Sequence, residues 1–106
     1  LENEQILLEK KKDLLNRLRV EQHKFDEEYN IESKIDSTDK EGYFLTASAS
    51  RMKTKNVDKE IYVLKKYTSK VKIYSDTINI ISEELLSNNS LIIRLNKEII
   101  VFFILL

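Results

Sequence analysis

The fold prediction starts from residues 57–106, which read VDKEIYVLKKYTSKVKIYSDTINIISEELLSNNSLIIRLNKEIIVFFILL. Alternating steps of three and four residues from Val57 reach apolar or aromatic side chains throughout, and only Glu60 and Asn88 interrupt the series. Apolar residues that recur at this spacing over several heptads are typical of a coiled coil, because they keep one seam of the helix facing a partner. A strand would need period-two alternation, which this interpretation does not find.

The predicted packing surface follows this seam. Its members are Leu64, Tyr67, Val71, Tyr74, Ile78, Ile81, Leu85, Asn88, Ile92, Leu95, Ile99 and Phe102. A buried Asn in an apolar seam is a known way to fix the register of paired helices. We therefore expect Asn88 to set the register, and we expect the charges beside the seam to add specificity.

The composition favours long helices. The chain has no proline and a single glycine, Gly42, and these two residue types are the strongest helix breakers. Residues from about 2 to 36 are predicted to form a first helix, residues 37–41 a turn, and residues 42–106 a second helix. Thr38 and Glu41 match the capping box that begins a helix. The predicted fold class is all-α, a long antiparallel helical hairpin or coiled coil that is extended rather than globular.

The second helix has one possible break, at Ser87–Ser90, because Asn tolerates left-handed backbone and Ser90 can cap a new helix. The heptad phase continues through Asn88, so we expect one helix of about 60 residues and about 90 Å. If the chain reverses near residue 40, the C-terminal end of the second helix has no partner within the chain. We expect a segment of a longer protein, because the chain starts with leucine and ends in the apolar run 99–106.

No catalytic chemistry is predicted. The sequence contains no cysteine and no glycine-rich phosphate loop, and its single histidine, His23, lies beside the apolar stripe of the first helix. Adjacent acids such as Glu27 and Glu28 point to different faces of a helix. We therefore expect a protein that is not an enzyme and has no cofactor or metal. The absence of cysteine favours a reducing, intracellular compartment, and we expect the cytoplasm.

A basic stretch raises the question of nucleic-acid binding. Residues 51–72 contain eight lysine or arginine residues and two acidic ones, with Tyr62 and Tyr67 between them and Tyr74 just beyond. Binders of single-stranded nucleic acid combine such cations with stacking aromatic side chains. Tyr67 and Tyr74 fall on the predicted seam, however, so we interpret them as core residues. With zero net charge and a pI near 6.8, the whole chain also lacks a basic character, so no nucleic-acid partner is expected.

The sequence favours a non-catalytic scaffold, tether or assembly subunit that works through protein–protein contacts at the seam, in a homo- or hetero-oligomer. Under this hypothesis a charged residue at Ile81 abolishes assembly. The alternative is a cytosolic, membrane-proximal stalk whose hairpin tip, near residues 38–55, binds a soluble partner. The apolar run 99–106 would then begin a membrane-spanning helix. Its eight apolar residues are fewer than the roughly 18 that span a bilayer, so no spanning helix is predicted up to Leu106.

Overall fold

The computed structural model describes the backbone of residues 2–105 and the side chains of residues 3–94. The elements in chain order are α1 (Glu2–Tyr29), β1 (Lys34–Thr38), β2 (Gly42–Ser48), α2 (Ala49–Met52), β3 (Tyr62–Lys66), β4 (Lys70–Ser75) and α3 (Asp76–Leu105). The fold is α+β, and the prediction of an all-α extended hairpin is wrong. We refer to α1 and α3 together as the arm, and to residues 30–75 as the head.

Two local features set the ends of the helices that the spacing misplaced. The first helix ends at Tyr29 rather than near residue 36, because Asn30 adopts left-handed backbone with φ of 49°, as residues that terminate helices often do. The second long helix begins only at Asp76. There the Ser75 hydroxyl accepts a hydrogen bond from the Ile78 N–H at 3.1 Å, and Asp76 places a negative charge in the first turn.

Strands replace the helix that was predicted across residues 57–75. In β4 the exposed Lys70 and half-buried Lys72 alternate with Val71 and Ile73, which are buried. This is the period-two pattern of a strand. It is hard to recognise in the sequence because Val71 and Tyr74 are also three residues apart, which fits the step of a heptad. Residues 61–64 are β-branched, aromatic or leucine, which favours a strand further.

The four strands form one antiparallel sheet in the order β1-β2-β4-β3. The register places Ile35 beside Leu45, Leu45 beside Ile73, and Ile73 beside Leu64. These four side chains make one apolar row across the sheet, because paired residues of neighbouring strands share a face. Leu45 and Ile73, in the two central strands, are fully buried.

The turn between β1 and β2 depends on the only glycine. Gly42 has φ of +74°, which a residue with a side chain rarely adopts, and a Cβ there would collide with the Ser82 hydroxyl of α3. The Thr38 hydroxyl accepts a hydrogen bond from the Glu41 N–H at 3.0 Å. This is the contact that the capping box predicted, but it closes a hairpin turn instead of starting a helix.

The two arm helices pack antiparallel along their apolar sides. The Asn88 side-chain amide of α3 donates a hydrogen bond to the Leu7 carbonyl of α1 at 2.9 Å, far from the head. Near the head, one apolar cluster includes Leu18 and Phe25 of α1 and Ile78 of α3, together with Leu45 and Ile73 of the sheet. The molecule measures 61 × 25 × 21 Å, with the head at one end of the arm.

We expect Ile73→Ala to lower the free energy of unfolding by about 2 to 5 kcal/mol, because it leaves a cavity in the centre of the core. Tyr67→Ala should cost less than about 1 kcal/mol, since Tyr67 is 47% exposed. Urea denaturation followed by circular dichroism measures both. The heptad interpretation makes the opposite prediction, because Tyr67 lies on its seam and Ile73 does not. A larger loss for Tyr67→Ala would therefore contradict the sheet.

Candidate functional site

Charge is separated between the head and the arm, although the net charge of the chain is zero. The head, residues 30–75, contains ten basic and six acidic residues, a net charge of +4. Residues 1–29 contain six basic and eight acidic residues, and residues 76–106 contain two and four, so each has a net charge of −2. A protein with a neutral total charge therefore has a positive end.

The positive charge of the head is concentrated between residues 51 and 72. Eight basic and two acidic residues give this stretch a net charge of +6. The cations are Arg51, Lys53, Lys55, Lys59, Lys65, Lys66, Lys70 and Lys72, and all are exposed except the half-buried Lys55 and Lys72. They lie on α2, on the loop that follows it, and on the hairpin of β3 and β4. Because these elements adjoin, cations that are separate in sequence share one end of the molecule.

A groove of about 590 Å³ separates the loop after α2 from the β3–β4 hairpin. Its rim carries Lys53, Lys55, Lys59 and Lys66, and its apolar floor consists of Met52, Val57, Leu64 and Val71. We call this feature the lysine groove. No acidic residue is among the described residues that line it. The groove is thus a concave surface with a strong preference for negative charge and some apolar contact area.

Tyr67 lies at the end of the lysine groove, in the turn between β3 and β4. Its N–H donates a hydrogen bond to the Lys70 carbonyl at 2.9 Å, which closes the turn. Tyr67 is 47% exposed, whereas Tyr62 and Tyr74 are 5% and 8% exposed. Tyr67 is therefore not the core residue that the seam predicted, and the centre of its ring lies 5.1 Å from Lys72 Nζ.

A second set of cations lies on the opposite face of the sheet. Lys65 pairs with Lys72 across β3 and β4, and the next pair, Lys66 with Val71, lines the groove. Successive residues of a strand point to opposite faces, so the Lys65–Lys72 pair faces away from the groove. We call this side of the sheet the outer face.

On the outer face the two lysines bind one carboxylate, that of Glu41. Lys72 Nζ lies 2.8 Å and Lys65 Nζ 3.4 Å from its oxygens, and the Tyr74 hydroxyl donates a hydrogen bond to it at 2.9 Å. Aromatic rings surround the ammonium groups, with Lys72 Nζ 4.7 Å from the centre of the Phe44 ring. Such contacts stabilise the cations further.

The protonation of this cluster follows from its hydrogen bonds. Those from Lys72, Tyr74 and Lys65 lower the pKa of Glu41 from 4.5 to about 2. The hydrogen bond to Glu41 raises the pKa of Lys72, and burial together with the nearby carboxylate raises the pKa of Tyr74. Glu41 and Lys72 are therefore both charged at neutral pH, and Tyr74 keeps its proton as a donor.

The predicted packing residues occupy several environments. Val71, Tyr74, Ile78, Ile81, Leu85 and Asn88 are buried, Leu64 and Ile92 are half-buried, and Tyr67 is exposed. The side chains of Leu95, Ile99 and Phe102 lie outside the described residues. Tyr74 packs on the outer face rather than between the helices. Leu45 and Ile73, which are fully buried, were not among the predicted packing residues, and the alternation in β4 was the signal that could have identified Ile73.

No model of a known protein family matches the chain, and no curated protein sequence matches it. None of the helices within the described part of the chain combines the length and the apolar character of a membrane-spanning segment. That part of the chain also has no group of three histidine, cysteine, aspartate or glutamate side chains that could hold a metal ion. Function is therefore inferred from charge and geometry.

We expect Glu41→Gln to remove an acid-sensitive part of the stability. The folded-state pKa of Glu41 lies below its ordinary value, so its ionised form stabilises the fold above about pH 4.5, and this contribution is lost as the pH falls towards 2. The difference in melting temperature between wild type and Glu41→Gln should be largest near neutral pH and should shrink in that acidic range. Thermal unfolding followed by circular dichroism across pH measures it.

Asp39→Asn is the matched control, because Asp39 is exposed in the same turn and has no contact with the two lysines. Its melting temperature should follow the wild-type pH dependence. A difference between wild type and Glu41→Gln that stays constant from neutral to strongly acidic pH would contradict the assigned role of Glu41.

Proposed function

We propose that the protein is a non-catalytic binding module whose arm carries a basic head, and that the head binds the phosphate backbone of a nucleic acid. The observation that carries this proposal is the lysine groove, whose rim carries Lys53, Lys55, Lys59 and Lys66 and has no acidic residue among the described residues that line it. Phosphate groups present regularly spaced negative charge, and lysine binds them as a flexible point charge.

A nucleic acid fits this surface better than an acidic protein segment does. The groove lysines come from the loop after α2 and from β3, and this spread matches a long polyanion better than a single cluster of carboxylates. Tyr67, which lines the end of the groove and is 47% exposed, adds aromatic contact area there, although its ring also contacts Lys72. Because the surface is rich in lysine rather than arginine, we expect contacts that do not depend on the nucleotide sequence.

Two observations revise the expectation that no nucleic acid is bound. That expectation treated Tyr67 as a core residue, but Tyr67 is 47% exposed. It also relied on the pI of 6.8 for the whole chain, which averages a head of net charge +4 with arm segments of −2 each. The relevant quantity for binding is the charge of the contacting surface, because screening limits electrostatic attraction to about 10 Å.

We expect the triple variant Lys53→Ala, Lys59→Ala, Lys66→Ala to bind nucleic acid more weakly and with less dependence on salt. Each phosphate contact contributes about 0.9 to the slope of log affinity against log salt, so the loss of three contacts should reduce this slope by about 2 to 3. Fluorescence anisotropy of a labelled DNA duplex, titrated at several salt concentrations, measures both quantities.

The control is a second triple variant, Lys10→Ala, Lys12→Ala, Lys24→Ala, which removes the same charge from exposed positions of α1. It should bind like the wild type. Equal weakening of both variants would contradict a site in the head. Failure of the wild type to bind at low salt, with binding of poly-glutamate instead, would identify an acidic protein as the partner and overturn the proposal.

Protein–protein contact through the arm is the second candidate, and it retains the scaffold or tether role. Val20 of α1 and Ile80 of α3 are 64% and 58% exposed beside a groove of about 360 Å³ on the side of the arm. Ile81 no longer tests assembly, because it is 7% exposed in the core of its own chain, and a charge there would unfold the head. The exposed Ile80 is the informative position.

Under this second candidate, the wild type sediments as an oligomer and Ile80→Asp as a monomer, because a charge at the centre of an apolar contact is costly. Analytical ultracentrifugation measures the change, and circular dichroism verifies that the variant is folded. Asn79→Asp introduces the same charge at the neighbouring exposed position and should leave the oligomer intact. A wild type that is monomeric across the concentration range would remove self-assembly through the arm.

We propose an intracellular location, supported by a sequence that has no cysteine. The membrane-proximal stalk stays a hypothesis about the apolar run 99–106, whose side chains lie outside the described residues. It predicts that the protein sequence beyond Leu106 continues with further apolar residues, and a charged continuation would contradict it.

A further inference from the structure

The two faces of the β3–β4 hairpin present their lysines differently. Lys65 and Lys66 are neighbours in sequence, and both are exposed. Lys66 faces the lysine groove, where no acidic side chain is among the described lining residues. Lys65 lies on the outer face and shares the Glu41 carboxylate with Lys72. A polyanion therefore meets lysines with no carboxylate among them in the groove, and on the outer face it meets the ion-paired Lys65 and Lys72, with Lys70 beyond them at the start of β4.

The position of Glu41 is fixed by the fold. Its N–H donates a hydrogen bond to the Thr38 hydroxyl at 3.0 Å, and the next residue, Gly42, packs directly against α3. The carboxylate is thereby placed over β4, where the Lys72 side chain is only 13% exposed. A side chain anchored in this way costs little additional entropy to hold the lysines.

We infer that Glu41 is a built-in counter-ion that neutralises the Lys65–Lys72 pair on the outer face and so directs polyanions to the lysine groove. This inference rests on the proposed function, because it assigns the face on which the nucleic acid lies. A phosphate approaching Lys65 and Lys72 would have to displace a carboxylate that already accepts three hydrogen bonds.

Removing the charge of Glu41 should open a second binding face. Lys65 and Lys72 would remain next to each other on paired strands, with the rings of Phe44, Tyr67 and Tyr74 beneath their ammonium groups. Two adjacent cations over aromatic rings can hold a phosphate group between them. Glu41 is therefore a residue that determines which surface binds, although it does not itself contact the nucleic acid.

The experiment compares wild type, Glu41→Gln and Asp39→Asn in titrations of a labelled DNA duplex at several salt concentrations. Asp39→Asn removes the same negative charge from the same turn, so it reports the long-range effect of net charge alone. We expect Glu41→Gln to bind the duplex about five-fold more tightly at low salt. The slope of log affinity against log salt should become steeper by about 1 to 2, because up to two new phosphate contacts form. Asp39→Asn should change affinity less than about two-fold.

A second comparison uses two single variants of the wild type, which do not depend on the folding of Glu41→Gln. In an otherwise wild-type protein, Lys66→Ala should weaken binding several-fold and reduce the slope of log affinity against log salt by about 1. Lys65→Ala should leave both the affinity and this slope unchanged. In the Glu41→Gln background, Lys65→Ala should remove the added affinity. Equal effects of Lys65→Ala and Lys66→Ala in the wild type would overturn the inference.

The outcomes separate this inference from the proposed function. Wild-type binding with no difference between Glu41→Gln and Asp39→Asn overturns the role of Glu41 and keeps nucleic-acid binding by the head. Binding by Glu41→Gln alone supports the role of Glu41 and overturns the proposed function of the natural protein. The absence of binding in all variants at low salt overturns both.

Discussion

The structure depends on one apolar core that the arm and the sheet build together. Phe25 of α1, Ile73 of β4 and Ile78 of α3 are all fully buried in the same cluster. None of these elements could exclude water alone, because a small sheet and a pair of helices each have one apolar side that needs a cover. The head is therefore held in a defined orientation on the arm, and the cations on its far side receive fixed positions.

Polar contacts fix the position of the sheet relative to the helices around this core. The Asp26 carboxylate accepts hydrogen bonds from both the N–H and the hydroxyl of Ser33, and Gln22 donates to the Ser33 carbonyl at 2.7 Å, which joins the end of α1 to the start of β1. On the other side, the Ser82 hydroxyl accepts a hydrogen bond from the Tyr43 N–H at 2.8 Å. Apolar packing tolerates sliding, whereas these bonds are satisfied in one arrangement only. They explain how a short sheet keeps its register against long helices.

The sequence predicted the arm better than the head, for physical reasons. The heptad spacing from Ile78 onward corresponds to α3, because a long helix repeats its pattern many times, whereas the six residues of β4 fit period two and the heptad equally well. The Thr38–Glu41 contact is local and compatible with a helix or a hairpin, and only the packing of Gly42 on α3 selects the hairpin. The basic stretch 51–72 was visible in the sequence. The opposite orientations of Lys65 and Lys66, and the exposure of Tyr67, were not, since they exist only after the strands pair.

The same separation of arm and head explains why a neutral chain can have a strongly charged surface at one end. Screening in physiological salt reduces electrostatic interactions over about 8 Å, whereas the molecule is 61 Å long. The acidic residues along most of the arm therefore do little to weaken the field at the head, and they would repel a polyanion that lay along the helices. Under the proposed function, attraction at one end and repulsion along the remainder would orient the molecule end-on. A fold that mixed the same residues evenly would have the same pI and no preferred binding surface, so the distribution of charge, rather than its sum, carries the functional information.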